Sequence, residues 1–333
     1  MVTLPTATQR VPQAIATTRV PSDEEIYQLL APRIGYLHVK QRLGIESDRE
    51  AWIFGQGLSF FHPENCYLMQ LAIRNALRLT CLYHRAKRNA LDIRLRYHEV
   101  QLPRLPSAFE GFTILQLSDL HLDMSEDFPH VLSERVRDLS YDLCVITGDF
   151  RYRTFGPCEP ALAGMDRVRL QLKDPIYGVL GNHDSIKMVP ALESMGIQML
   201  LNESVTLTRG GQAIHLIGVD DPHYYQADNL DRACYGVNHD RASILLAHSP
   251  EIYKHAAHAG FDLLLCGHTH GGQLCLPGGM PIIYDAKCPR KLASGPWRYH
   301  QLIGYTSVGT GSSIVDVRLN CPPEITLHRL HRA

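Results

Sequence analysis

No stretch of this chain reaches the roughly eighteen uncharged apolar residues that a membrane-spanning helix needs. Its first residues, MVTLPTATQRVPQ, lack the charged-then-apolar build of a secretory signal. No two cysteines are spaced C-x-x-C, and their number, nine, is odd. Both facts argue against a disulfide framework and fit reduced thiols. Neither sign of charge is in excess, since 33 Lys and Arg stand against 34 Asp and Glu, a net charge of -1. No global field therefore selects nucleic acid as a partner. The expectation is a cytoplasmic protein, peripheral at the inner membrane at most.

Histidine, by contrast, is abundant, with 18 in 333 residues. It is the commonest metal ligand, so the count raises the prior for a metal site without locating one. The length allows one large domain with an appendage. Residues 1–21 are rich in Thr, Pro and Ala without periodicity, and the expectation there is a disordered tail. Ser22 with Glu25 reads as a capping box that opens a helix through Leu30, ended by Pro32. A second helix is expected from Cys66 to Asn89, with Gln70, Arg74 and Arg78 forming a polar stripe. Alternation at Ile93, Leu95 and Tyr97 predicts a strand with one wet face. Residues 22–104 thus read as a mainly helical N-terminal extension. QLPRLPSAFEGF (101–112) reads as a proline-punctuated linker, and 112–333 as the main domain.

In the main domain, short apolar runs end in polar or glycine-rich turns: FTILQLSD, YDLCVITGD, IYGVLGNHD, SILLAHS and DLLLCGHTH. This is the texture of buried strands in an α/β domain. The chemistry-bearing residues follow each strand: Asp119 and His121, Asp149, Asn182 with His183 and Asp184, His248, and His268 with His270. Open α/β sheets bind ligands at the carboxyl ends of their strands, so the five loops can converge. In D-x-H and H-x-H, residues i and i+2 of an extended backbone project to one side. Carboxylates, imidazoles and an amide oxygen suit Mn, Fe or Zn better than Ca or Mg.

In order, DLH, GD, GNHD, H and GHTH match the pattern of the calcineurin-like metallophosphoesterases, which this chain resembles over roughly residues 112–330. The resemblance implies two mixed β-sheets packed as a sandwich flanked by helices. It also implies two divalent ions: Asp119, His121 and His270 would hold one, Asn182, His248 and His268 the other, and Asp149 would bridge them. A phosphoester would be hydrolysed by water activated at the metal pair, with His183 as general acid oriented by Asp184. Asn182 would also face the substrate.

Other polar residues stay open at this level. Asp220 and Asp221 follow HLIGV and either support the ligands or are purely structural. Arg151 and Arg153 either bind phosphate, as bidentate guanidinium groups can, or lie on a solvated loop. The runs IRLRYHEVQLPRLPSAFEGFTILQLSDLHLD and GHTHGGQ resemble a bacterial branch that includes membrane-associated phosphoesterases and a UDP-2,3-diacylglucosamine hydrolase type of lipid A synthesis. Members of that branch often carry a transmembrane helix before the IRLRYHEV-like strand. Here that place holds YLMQLAIRNALRLTCLYHRAKR, interrupted by Arg74 and Arg78. From Arg74 to Arg104 eight basic residues face two acids. Two readings follow for 66–104: peripheral association with an anionic membrane, or packing on the catalytic domain. The alternatives for function are a soluble cyclic-nucleotide or glycerophosphodiester phosphodiesterase, and a non-catalytic scaffold of the same fold. A scaffold is free to lose its acid or its ligands, whereas here all are kept.

Overall fold

The computed structural model describes residues 20–54, 67–282 and 286–333. All five apolar runs form strands of four or five residues. The first sheet runs β1 (Arg94–Leu102), β12 (Glu324–Arg332), β2 (Thr113–Leu117), β3 (Leu143–Thr147), β4 (Ile176–Val179), β5 (Ile197–Met199). The second runs β10 (Gly295–Tyr299), β11 (Leu302–Thr306), β9 (Leu263–Cys266), β8 (Ser243–Leu246), β7 (Gln212–Gly218), β6 (Glu203–Arg209). Both sheets are mixed. Strands β2 to β5 are mutually parallel while β12 is antiparallel to β2. Strands β7, β8, β9 and β11 are parallel, with antiparallel β6 and β10 at the edges.

The period-two alternation of each strand builds two cores at once. In β3, Leu143 and Val145 face the second sheet, while Cys144 and Ile146 face helices. In β9, Leu263 and Leu265 face the first sheet, while Leu264 and Cys266 face the short helix Tyr253–His258. Each fully buried aliphatic side chain contributes about 1.5–3 kcal/mol. The outer face of the first sheet is covered by α1 (Asp23–Ile34), α2 (Tyr36–Phe54), α5 (Phe128–Val136) and α6 (Glu159–Arg169). The two intervening helices are α3 (Tyr67–Leu79) and α4 (Tyr83–Ala90).

Several local expectations change. The Ser22 capping box is present, but α1 runs through Pro32 to Ile34 and stops at Gly35, φ 91°. Pro32 falls in the last turn, where one missing hydrogen bond is offset by burial of Leu30 and Ile34. The single helix expected to Asn89 is two, because Cys81 adopts φ 56° and turns the chain. That turn lets Leu77 of α3 and Ala86 of α4 meet on Val315 and Val317. Its expected start, Cys66, lies outside the described residues, as does most of the 1–21 tail. The strand at the end of the N-terminal extension, β1, pairs with β12 over nine residues and is part of the first sheet. The stretch read as a linker contributes Leu102, Leu105, Phe109 and Phe112 to the core between the sheets. Its prolines shape a packed turn and do not free the chain. Among the described residues no helix is long and apolar enough to cross a membrane.

Candidate metal centre

Because β2, β3 and β4 are parallel, as are β8 and β9, their carboxyl ends lie side by side, and the loops beyond them meet. All seven expected ligands and His183 are buried there. The backbone that delivers them is not extended. Asp119, His121, Asp149, His268 and His270 have φ of 52°, 43°, 57°, 73° and 50°. The expected i, i+2 geometry of a strand is therefore replaced by left-handed turns, at about 1–2 kcal/mol per residue. Hydrogen bonds between loops hold that strain: Asp119 N donates to Gly148 O at 3.0 Å, and His121 N to Asp149 O at 3.0 Å. Gly311 N donates to Asp119 O at 2.9 Å. Gly148, at φ 86°, lies so close that a Cβ would stand 2.7 Å from Gly181 N and from His248 Nδ1.

The donor atoms form two groups around Asp149. In one, Nε2 of His121 and His270 are 3.1 Å apart, and His270 Nε2 is 3.4 Å from Asp119 Oδ1. In the other, Asn182 Oδ1 is 2.8 Å from both His248 Nε2 and His268 Nδ1. Asp149 Oδ2 lies between, 3.7 Å from His121 Nε2 and 3.2 Å from His248 Nε2. Two ring orientations are set from behind. His121 Nδ1 donates to Arg151 O at 2.8 Å and His248 Nδ1 to Thr147 O at 2.8 Å, so each turns Nε2 inward.

The calcineurin-like phosphoesterase family model matches residues 112–272. Over 275 residues the chain is 31% identical to the uncharacterized metallophosphoesterase YkoQ of Bacillus subtilis, covering 79% of this chain and 98% of that protein. This chain belongs to the calcineurin-like metallophosphoesterase family. It is also 31% identical to the bovine transmembrane protein with metallophosphoesterase domain, over 68% of this chain and 55% of that one. To phosphodiesterase YaeI of Escherichia coli it is 29% identical, over 47% of this chain and 58% of that one. This metallophosphoesterase thus spans nearly all of YkoQ but little more than half of the other two.

The residues of this metallophosphoesterase fit a pair of divalent cations. Donors about 2.1 Å from an octahedral ion stand about 3.0 Å from one another. The contacts of 2.8–3.4 Å within each group match that spacing. Asp119, His121 and His270 form one set that can hold an ion, Asp119, Asp149 and His248 another, and His121, Asp149 and His183 a third. The electrostatics agree. Burial pushes His121 down to about 3 and drops His268 and His270 well below the usual imidazole range, so all three keep their lone pairs. Burial works to raise Asp149, but His248, His183 and His121 outweigh it and hold the carboxyl well below its usual range. The same contact lifts His248 to about 10 against the pull of burial, and burial pushes Asp119 up to about 6. A bound cation would supply the positive charge that these buried carboxylates otherwise draw from a proton.

Two sequence readings need revision, those of Asp184 and Arg151. Asp184 does not touch the ring of His183. Its carboxylate accepts the backbone N–H of Asp149 (2.8 Å), Phe150 (2.8 Å), Gly181 (2.9 Å) and Arg151 (3.3 Å), tying two loops together. His183 is oriented instead by Tyr152, whose carbonyl accepts from Nδ1, leaving Nε2 3.8 Å from Asp149 Oδ2. The guanidinium of Arg151 donates to the carbonyls of His183, Gly156 and Thr154, so it holds its loop and is not aimed at a phosphate. Arg153 is exposed, its charge 6.0 Å from the Phe155 ring centre. Asp220 and Asp221 are both structural: Asp220 pairs with Arg42 and His38, and Asp221 accepts the N–H groups of His223, Tyr224 and Tyr225.

Sequence reasoning missed Arg318 and His223. Arg318 is fully buried, donates to Gly311 O and lies 3.1 Å from His270 Nδ1. Its one visible signal is a lone cation in the apolar run IVDVRL. The His223 ring packs 4.2 Å from that of His268 and pairs with Glu251. Nothing in its local sequence marks it.

Proposed function

We propose that this metallophosphoesterase hydrolyses phosphoesters at two divalent cations, with His183 protonating the leaving group. Asp119, His121 and His270 would hold one ion and Asn182, His248 and His268 the other, with Asp149 shared between the two groups. When bound, the cations polarise the phosphate and lower the pKa of water, as manganese, iron or zinc pairs do. The observation that carries the reading is the placement of His183. Its Nδ1–H stays on the Tyr152 carbonyl while Nε2 faces Asp149 Oδ2 at 3.8 Å, so a proton can leave Nε2 without the ring turning. Asn182 spends Oδ1 among the histidines, which leaves its Nδ2 to donate to a phosphate oxygen. Arg153 is the arginine available for substrate, because Arg151 is committed to backbone carbonyls. His183→Ala should keep both metals and lose about 10²–10⁴ in kcat on an alkyl ester, with far less loss on a nitrophenyl ester. Undiminished turnover of both would sink the assignment.

The finer reading is a substrate presented at an anionic membrane surface. Leu77 and Ile73 anchor α3 to the body, yet Leu68, Leu71 and Leu79 are 73%, 38% and 86% exposed. Arg85, Lys87 and Arg88 lie exposed on α4. These helices border the site: Gln70 donates to the Tyr152 hydroxyl at 2.5 Å, and Lys87 and Leu91 line a cleft with His121. Apolar side chains beside a basic cluster suit anionic lipid. Co-sedimentation with phosphatidylglycerol vesicles at low salt, lost in Leu68→Glu with Leu79→Glu, supports a lipid-linked phosphodiester or pyrophosphate. Failure to bind favours soluble cyclic nucleotides or glycerophosphodiesters.

A further inference from the structure

We propose that helix α2 belongs to the catalytic apparatus, with Glu46, backed by Arg42, as a positioning residue for the loop that carries Asn182 and His183. This rests on the reading of His183 as the acid. The three residues after His183 are all held by α2. Arg42 Nη2 donates to the Asp184 carbonyl at 2.9 Å. Glu46 Oε2 accepts the Ser185 hydroxyl at 2.5 Å, and Oε1 accepts Ile186 N–H at 2.8 Å.

Arg42 is itself fixed from several sides. Asp220 lies 3.3 Å from Nε, Glu46 lies 3.5 Å from Nη1, and the guanidinium stacks 3.3 Å from the Tyr225 ring centre. The Tyr225 and His223 peptides share Asp221 as acceptor, and the His223 ring packs on His268. One helical turn of α2 therefore touches the His183 loop of the first sheet and the segment behind His268 of the second.

Packing alone does not require these groups. Ile26, Leu30, Ile34, Val39 and Leu43 already bury the helices against the body. Buried ionic groups are weak stabilisers compared with apolar ones of the same volume. What Glu46 and Arg42 add is geometry, and a displacement of about 1 Å at a reacting group costs on the order of a hundredfold.

The test uses the full chain loaded with manganese, and the variants Glu46→Ala, Glu46→Gln, Ser185→Ala and His183→Ala. Substrates are bis(nitrophenyl) phosphate, whose leaving group needs no acid, and a dialkyl phosphodiester, whose leaving group does. Bound manganese and Tm are measured for each. Glu46→Ala is expected to lower kcat on the alkyl diester by about ten- to a hundredfold, with little change in KM and less than about threefold loss on the nitrophenyl ester. Glu46→Gln should restore most of it, because its carbonyl oxygen can accept from Ile186 and its amide can donate to Ser185. Ser185→Ala removes one of the contacts and should give the same pattern, smaller; it carries the test if Glu46→Ala does not fold. Equal loss on both substrates, or no rescue by Gln, overturns the proposal. If His183→Ala is selective for the alkyl ester and the Glu46 and Ser185 variants are not, the proposal alone fails. If His183→Ala is not selective, the acid assignment fails and takes the proposal with it.

Discussion

Asp220→Asn isolates the buried charge cluster that ties α2 to the second sheet. Asp220 and Arg42 are both 0% exposed, 3.3 Å apart, with His38 Nε2 3.0 Å from the same carboxylate oxygen. The amide keeps Oδ1 for the N–H of Asp221, which donates to it at 2.8 Å. It puts an NH2 group where Oδ2 met Arg42 and His38. Arg42 is then left with Glu46 at 3.5 Å, the Asp184 carbonyl and the Tyr225 ring, and with one fewer carboxylate against its charge. Removing one partner of a buried pair costs about 3–5 kcal/mol, mostly because the other charge stays buried. With an unfolding entropy of about 2.1 cal/mol/K per residue over roughly 300 residues, 4 kcal/mol is about 6 °C in Tm.

The pH dependence has a definite sign. Burial alone would raise the Asp220 pKa, but Arg42 and His38 outweigh it and lower it below the ordinary value. The stabilisation is present above the unfolded pKa of about 3.9 and is lost as pH falls through the lower folded value. Scanning calorimetry at several pH values should show wild type above the variant by about 6 °C near neutrality, with the gap closing below about pH 4. A drop under about 1.5 °C, or a gap that widens in acid, would refute the reasoning.

Chelation should abolish hydrolysis and lower Tm, since cations at a hundred times their Kd stabilise by about 2.7 kcal/mol per site; an unchanged Tm would count against bound metal. Gly267→Ala places a methyl onto the Ser118 hydroxyl and the Asp119 carboxylate, and elemental analysis should find fewer than two metals per chain. Leu102→Ala truncates a fully buried side chain of β1 between the sheets and should cost about 2–5 kcal/mol; a loss below 1 kcal/mol would mean that β1 is peripheral.

The strands were legible because each is an apolar run closed by a turn, a purely local signal. The seven candidate ligands were legible for a related reason. Their residue types are rare in combination and sit immediately after those strands. Roles that depend on where side chains point were not. Arg151 and Asp184 each stand two residues after a candidate ligand, yet both bond to backbone. Tyr152 carries no motif but orients His183 through its carbonyl. The packing of the 101–112 stretch was not legible, because its prolines suggest an exposed linker. Leu102, Leu105 and Phe109 are buried only because the second sheet covers them.

By itself, then, the order of turns after five strands determined the family and marked the seven candidate ligands. Only the tertiary structure decided the rest: the left-handed backbone at five of those residues, the Tyr152 carbonyl as the partner of His183, and the reach of α2 to the loop beyond His183. The physical reason is distance along the chain. A strand and its turn are set by neighbours a few residues away. The contact of Arg42 with Asp184 spans 142 residues, and that of Asp119 with His268 spans 149, so neither exists until distant parts of the chain have packed together.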